Sequence, residues 1–223
     1  MKKPLTFHII SLFPEAFQSY LASSIVGRAI RDRKIRVKFY NPREFTKDKW
    51  RRVDQRPYGG GPGMVLEAES VLKAVTKALH GTKGAVVYFF DASGKEFTNK
   101  DGRVLARKVK DLILICGRYE GVDARVQKIL KAKKVSVGPY VVTGGELPAM
   151  VVMDVTARQV PGVLGTFSSI EEERLAASEV YTRPEVLVWK GKRYRVPKVL
   201  LSGNHADIEV WKRKHKGQST GMG

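Results

Sequence analysis

Asp111–Gly121 reads DLILICGRYEG. From Leu112 to Cys116 it is apolar throughout, with no alternation of wet and dry positions, so it reads as a strand buried on both faces. Strands of that kind belong to parallel sheets covered by helices on either side. Working outward, LTFHIISLF (5–13), RVKFY (36–40) and AVVYFFD (85–91) precede it and VSVGPYVVT (135–143) follows. Between these five strand candidates lie helical patterns: PEAFQSYLASSIVGRAIRDR (14–33), AESVLKAVTKALH (68–80), NKDGRVLARKVK (99–110), VDARVQKILK (122–131) and ELPAMVVMDVTARQV (146–160). The alternation predicts an α/β fold, a parallel sheet with helices on both faces.

Beyond Pro161 the pattern breaks. GVLGTFSSIEEERLAASEV (162–180) has no tight periodicity and carries three consecutive glutamates. It reads as a flexible segment, 163–180, between a first domain, 1–162, and a small second one, 181–223. In the latter, EVLVWKGKRYRVPKVLLSG (185–203) suggests a strand pair around Gly191, and NHADIEVWKRKHK (204–216) a short helix capped by Asn204.

With 223 residues, 43% of them apolar, the chain can bury a real core. Forty-one Lys and Arg against 22 Asp and Glu leave a formal charge of +19, which favours a polyanionic partner, nucleic acid above all. Arg28–Arg52 holds eleven Lys or Arg against three acids, and Lys190–Lys216 nine against two. Both suit phosphate contacts, which give affinity and position without reading bases. The single cysteine, Cys116, excludes an internal disulfide or a thiolate zinc cluster and reads as a buried strand thiol. No apolar run is long enough for a membrane helix and no signal-peptide core is visible, so the expected location is the cytoplasm.

Three late strand candidates end in glycine-rich turns, CGRYEG (116–121), SVGPY (136–140) and TGGELP (143–148). Ligands of open parallel sheets gather beyond the carboxyl ends of the strands, and glycine lets them approach the backbone. Neither G-x-G-x-x-G after the first strand nor G-x-x-x-x-G-K-[ST] occurs, so a dinucleotide fold and a P-loop are both unsupported. A phosphate cradle at YGGGPGM (58–64) is disfavoured as well, because no Lys follows the glycines and Pro62 lacks an N–H.

VDQRPYGGGPGM, LICGRYEGVDARV, TGGELPAMVVMDVTARQVPGVLG, YTRPEV and VPKVLLSGNHADIEVWK together resemble the bacterial tRNA (guanine-N1)-methyltransferases, TrmD type, of the knotted SPOUT class. The likeness spans nearly the whole chain in the order of that family. It implies methyl transfer from S-adenosyl-L-methionine to N1 of the guanosine immediately 3′ of the anticodon in tRNA, a modification that maintains the reading frame. It further implies a homodimer with active sites between subunits, a deep trefoil knot at the C-terminal part of the sheet domain, and a small, mainly helical C-terminal domain that grips tRNA. That domain looks shortened, since the chain ends twelve residues after Trp211.

On the same likeness the methyl donor would meet Tyr88, Phe89, Gly117, Tyr119, Glu120 and Gly121. The knot loops would complete the pocket with Ser136, Val137, Gly138, Pro139, Tyr140, Val141 and Val142, then Gly144, Gly145 and Pro148. Guanine N1 is a poor nucleophile until it loses its proton, so the site needs a general base and a partner for charge on O6. The family arginine falls on Arg158, whose planar fork suits that oxygen. The family base, an aspartate, falls on Glu173, with Glu172 its nearest competitor. Asp54, Tyr58, Gly59 and Gly61 in the opening loop, and Arg183, Asn204 and His205 in the second domain, are the implied tRNA contacts.

Two departures stand out. The usual Gly-Asp-Tyr of the knot loop is Gly138-Pro139-Tyr140, and the usual pair of aspartates in the opening loop is Asp54-Gln55. The family's magnesium dependence comes with the likeness, but no residue here is assigned as a metal ligand. Two other readings of the same residues are an RNA-binding relative without catalysis and a knotted methyltransferase for another RNA nucleotide.

Overall fold

A computed structural model describes residues 4–164 and 179–215. The chain divides into two units, the first ending at Gly165. In the first, β1 (Leu5–Ile10) leads through a 3₁₀ turn at Pro14–Phe17 to α1 (Gln18–Ala22), α2 (Ser24–Arg31) and β2 (Ile35–Tyr40). A two-residue ribbon follows, β3 (Asp54–Gln55) against β4 (Val65–Leu66), then α3 (Ala68–Leu79), β5 (Val86–Glu96) and α4 (Asn99–Lys108). The unit closes with β6 (Asp111–Ile115), α5 (Ala124–Leu130), β7 (Lys133–Ser136) and α6 (Glu146–Arg158).

Five strands pair in parallel in the order β2-β1-β6-β5-β7. The α/β fold expected from the sequence is therefore present, and its five strands fall on the five strand candidates. β1 and β6, in the interior of the sheet, are buried along their whole length, while the edge strands β2 and β7 keep exposed positions. Two apolar cores flank the sheet. On one face Leu5, Phe7 and Ile9 pack with Leu105 of α4 and Ala149, Val152 and Met153 of α6. On the other, Ile10, Ile113 and Ile115 pack with Val71, Ala74 and Val75 of α3 and Val126 of α5. The buried layer on this second face also holds a polar chain: His8 Nε2 lies 3.1 Å from Asp111 Oδ1 and Nδ1 lies 3.0 Å from the Tyr40 hydroxyl.

Three local features depart from the sequence reading. The pattern over 14–33 is broken rather than continuous: Ser24 has φ +48°, and α2 turns back so tightly that a Cβ on Gly27 would lie 2.5 Å from the Ala22 carbonyl oxygen. β5 runs past Asp91 to Glu96 because four residues bulge out, Val135 pairing first with Phe90 and then with Lys95. Gly94 makes that possible, since a Cβ there would sit 2.6 Å from Val135 N. Finally, β7 ends at Ser136, where the Ser136 hydroxyl donates to the Gly138 carbonyl at 2.8 Å and bends the chain away from the sheet.

The described part of the second unit holds β8 (Val186–Trp189) paired antiparallel with β9 (Lys192–Arg195), then α7 (Lys198–Leu201) and α8 (His205–Lys214). The hairpin turns at Lys190-Gly191, both at positive φ. Asn204 caps α8 as its sequence position suggested, accepting from Ala206 N at 3.1 Å. A hairpin thus accompanies the helices expected there. No described helix is long and apolar enough to cross a membrane.

Candidate cofactor cleft

A cleft of about 320 Å³ opens at the carboxyl ends of β6 and β7 and at the bulge of β5. Three chain segments meet there because β6 is inserted between β1 and β5, so the turn after it lies beside the β5 bulge and the loop after β7. An isolated antiparallel bridge joins Arg118 to Gly144, and Gly145 N donates to Gly117 O at 2.9 Å. The contact is close: a Cβ on Gly145 would collide with Cys116 Cα and lie 2.8 Å from Gly117 N. Glycine at 145 is what lets the start of α6 lie on the end of β6.

Of the residues the likeness nominated for the methyl donor, thirteen line the cleft. Phe89 enters from β5; Gly117, Tyr119, Glu120 and Gly121 from the turn after β6; Ser136, Val137, Tyr140, Val141 and Val142 from the loop after β7; Gly144, Gly145 and Pro148 from the start of α6. Three do not line it. Tyr88 faces the core, 7% exposed and edge-on to Phe97; burial and the nearby Asp101 carboxylate push its hydroxyl above the ordinary tyrosine range. Gly138 and Pro139 shape the loop instead. A Cβ on Gly138, at φ +155°, would strike the Tyr140 ring, whose hydroxyl donates back to the Val137 carbonyl at 3.0 Å.

Sequence reasoning missed Phe90, Asp91, Ala92, Arg118, Val122, Val135 and Thr143 in the cleft wall. Asp91 opens the β5 bulge, and no periodic signal marks such a bulge. Its carboxylate accepts from Ser93 N at 2.8 Å and meets Lys134 Nζ at 2.8 Å, which lowers its pKa to about 2. Arg118 was legible within CGRYEG, yet its role depends on residues far along the chain. Its Nε lies 2.9 Å from Glu146 Oε2, an ion pair without the alignment of a hydrogen bond, and its guanidinium stands 4.5 Å over the Phe13 ring. Glu146 is 3% exposed and accepts from the Ser11 hydroxyl at 2.7 Å. Gly144 makes room for this pair, for a Cβ there would lie 2.5 Å from Arg118 Nε. Cys116, buried beneath, has its thiol pushed well above the ordinary range by desolvation first and by Glu146 second, so it is no nucleophile.

The opening loop reaches the same wall. Gly59, Gly60, Gly61 and Gly63 all have positive φ, and Tyr58 is fully exposed. At the end of the loop Met64 O accepts from Glu120 N at 3.0 Å, and a Cβ on Gly63 would lie 2.6 Å from Glu120 Oε1. Asp54 pairs with Leu66 in the β3–β4 ribbon. Tyr58 to Met64 therefore end against Glu120, one of the residues lining the cleft.

Arg158 is not at this cleft. It is the last residue of the 13-residue α6, whose first turn lines the cleft, and so stands roughly 18 Å along the helix from Glu146. Glu173 and Glu172 lie outside the described residues. Arg183, Asn204 and His205 belong to the second unit, where Asn204 is occupied in capping α8. Among the described residues no group of three or more His, Cys, Asp or Glu is arranged to hold a metal ion.

The cleft suits S-adenosylmethionine in having open glycine backbone at Gly121 and the half-exposed Tyr140 ring beside it to meet a flat base. Among the described residues of the cleft wall, Asp91 is engaged by Lys134 and Glu146 by Arg118, and no group of three such side chains is arranged for magnesium.

The family model of tRNA (Guanine-1)-methyltransferase TrmD matches residues 5–222. The tRNA (guanine-N(1)-)-methyltransferase of Buchnera aphidicola subsp. Acyrthosiphon pisum (strain APS) is 41% identical over 214 residues, 94% of this chain and 89% of that protein. Those of Photobacterium profundum and Pectobacterium carotovorum subsp. carotovorum are each 44% identical, covering 92% of this chain and 83% and 82% of their own lengths.

Proposed function

This chain belongs to the tRNA (guanine-1)-methyltransferase family, and from that premise we propose that it methylates N1 of the guanosine immediately 3′ of the anticodon in tRNA. The observation that carries the reading is the glycine-walled cleft at the carboxyl ends of β6 and β7 and the bulge of β5, in a chain matched to the family over 5–222. When bound there, S-adenosylmethionine supplies an electrophilic methyl group on a positively charged sulfur. Tyr140 would meet its flat base, and Gly117 and Gly121 would let the rest of it approach the backbone.

The protein's part in the chemistry is to make N1 nucleophilic. Glu173 takes the N1 proton and frees the nitrogen lone pair for the methyl group, which S-adenosylmethionine would supply while leaving as the neutral thioether. Arg158 holds the charge that gathers on O6 as the proton leaves. Its distance from the cleft of its own chain supports a homodimer in which a second copy brings Arg158 to the site. The bridge between Arg118 and Gly144, which draws the segment after β6 against the start of α6, is consistent with the trefoil knot of the class. The charge of +19 and the basic stretches 28–52 and 190–216 hold the tRNA through its phosphates.

The test is methyl transfer to tRNA transcripts carrying guanosine or adenosine 3′ of the anticodon, followed by nucleoside analysis. N1-methylguanosine from the first transcript and nothing from the second is the expected result. Equal modification of both, or of neither, overturns the proposal.

A further inference from the structure

The segment between β2 and β3 has no regular secondary structure after Glu44, yet it is closely braced. The Thr46 hydroxyl donates to Arg52 O at 3.0 Å and accepts from Asp48 N at 3.1 Å. Asp48 Oδ1 accepts from Trp50 N at 2.8 Å and from Arg52 N at 3.0 Å, while Oδ2 takes the Arg52 guanidinium at 3.2 Å. Arg43 reaches in from the neighbouring turn to donate to Arg51 O at 3.1 Å. With its carboxylate acting as the hub of this small structure, Asp48 is held below the ordinary carboxylate range, chiefly by the Arg52 N–H and side chain.

What the bracing presents is an indole. Trp50 is 70% exposed, whereas large aromatics in the core of this unit are nearly all hidden. Lys49 Nζ sits 5.3 Å from the centre of its ring, and the same short stretch of chain carries Arg43, Lys47, Arg51 and Arg52. A buried role would need apolar neighbours, and a solvated charge run has no use for a tryptophan. An exposed flat ring with one cation over it, in a segment this rich in Lys and Arg, is complementary to a nucleobase attached to phosphates, with the ring meeting the base and the cations the backbone. Because the loop is already ordered, binding costs little further ordering.

The position fits as well. Val53, three residues after Trp50, is fully buried, and its carbonyl accepts from Glu67 N at 2.8 Å. From there β3 pairs with β4, and Leu66 N donates to Gly121 O at 3.0 Å in the cleft wall. Adding three residues of chain to two strand spacings puts Trp50 within about 20 Å of Gly121, a span of a few nucleotides. We propose that Trp50 is a stacking platform for an unpaired base of the tRNA, a few nucleotides from the one that enters the cleft, and that the Asp48-centred braces hold it open for that base.

The inference rests on the tRNA-methylating role above, and its test separates the two. In a Trp189→Phe/Trp211→Phe protein Trp50 is the one tryptophan left, and full-length tRNA transcript should quench its selectively excited emission on binding. Trp50→Ala should weaken tRNA affinity about tenfold, Trp50→Phe should recover most of it, and S-adenosylmethionine affinity should stay unchanged. Stacking releases no counterions, so the slope of log Kd against log salt stays at the parent value in Trp50→Ala and falls in Arg51→Gln/Arg52→Gln. Unchanged tRNA affinity in Trp50→Ala, with the parent active, overturns the platform and leaves the enzyme reading intact. A reduced salt slope in Trp50→Ala, with no recovery in Trp50→Phe, overturns it too, since the loop would then act only by placing its cations. A parent that methylates no tRNA fails at the earlier step.

Discussion

Glu146→Ala should unfold the cleft end of the molecule more readily than any exposed carboxylate change, and the size of the effect follows from three contacts. The carboxylate is 3% exposed, takes the Ser11 hydroxyl at 2.7 Å and faces Arg118 Nε at 2.9 Å. Those partners follow β1 and β6, so one side chain at the start of α6 ties three segments together. Removing one member of a fully buried pair costs about 3–5 kcal/mol. Arg118 keeps 25% of its side-chain exposure, which brings the ion-pair loss to roughly 2 kcal/mol. The Ser11 hydroxyl adds about 1 kcal/mol, although it still accepts from Phe13 N at 2.9 Å. A total near 3 kcal/mol corresponds to a fall in Tm of about 6–12 °C for a chain of this size. Glu146→Gln, which retains an acceptor for Ser11, should fall about half as far. Thermal unfolding followed by circular dichroism measures both. The double variant Arg118→Met/Glu146→Ala should be more stable than the sum of its single changes, because no unpaired guanidinium is left behind. Melting of Glu146→Ala within about 2 °C of the parent, or strict additivity of the two changes, would refute the account.

Two further outcomes follow from the cleft wall. Gly145→Ala forces backbone apart at Cys116 and Gly117, so calorimetry should show S-adenosylmethionine binding at least about tenfold weaker and stability lowered by about 2 kcal/mol; a Kd within twofold of the parent contradicts the contact. Asp91 titrates at about 2 in the folded chain against an ordinary 3.8, so its contribution is complete above the ordinary value and disappears as pH falls through about 2. Asp91→Asn should therefore cost about 1 kcal/mol near neutrality, discounted for partial exposure, with the gap to the parent closing in strong acid; urea midpoints across pH read it, and a gap that widens in acid refutes the sign.

Strands such as Leu112–Ile115 were legible because burial on both faces leaves a mark on every residue of the run. The helices over them were legible in their apolar stripes, and Asn204 in its cap. The β5 bulge was not, because Asp91 to Gly94 are polar or small in a way that also describes a loop, and only the absent Cβ of Gly94 against Val135 N distinguishes the two. The turn after β7 escaped for a similar reason: Ser136 bends the chain through a hydroxyl bond to Gly138, where an apolar count continues the strand.

The site divides along the same line. Glycine turns reveal that something approaches backbone, and the cleft is built from the turns the sequence singled out. Partnerships do not show in that way. Ser11 stands over a hundred residues before Arg118 and Glu146, and it meets them only because β6 is inserted beside β1. Arg158 carries the argument one step further. The family likeness proposes it for the chemistry, while α6 carries it roughly 18 Å from the cleft that the same helix begins. A sequence motif records which residues act together, whatever chain they come from; a single chain's structure records only those that its own fold can gather. Where the two disagree, as they do at Arg158, the disagreement itself is the argument for a second copy.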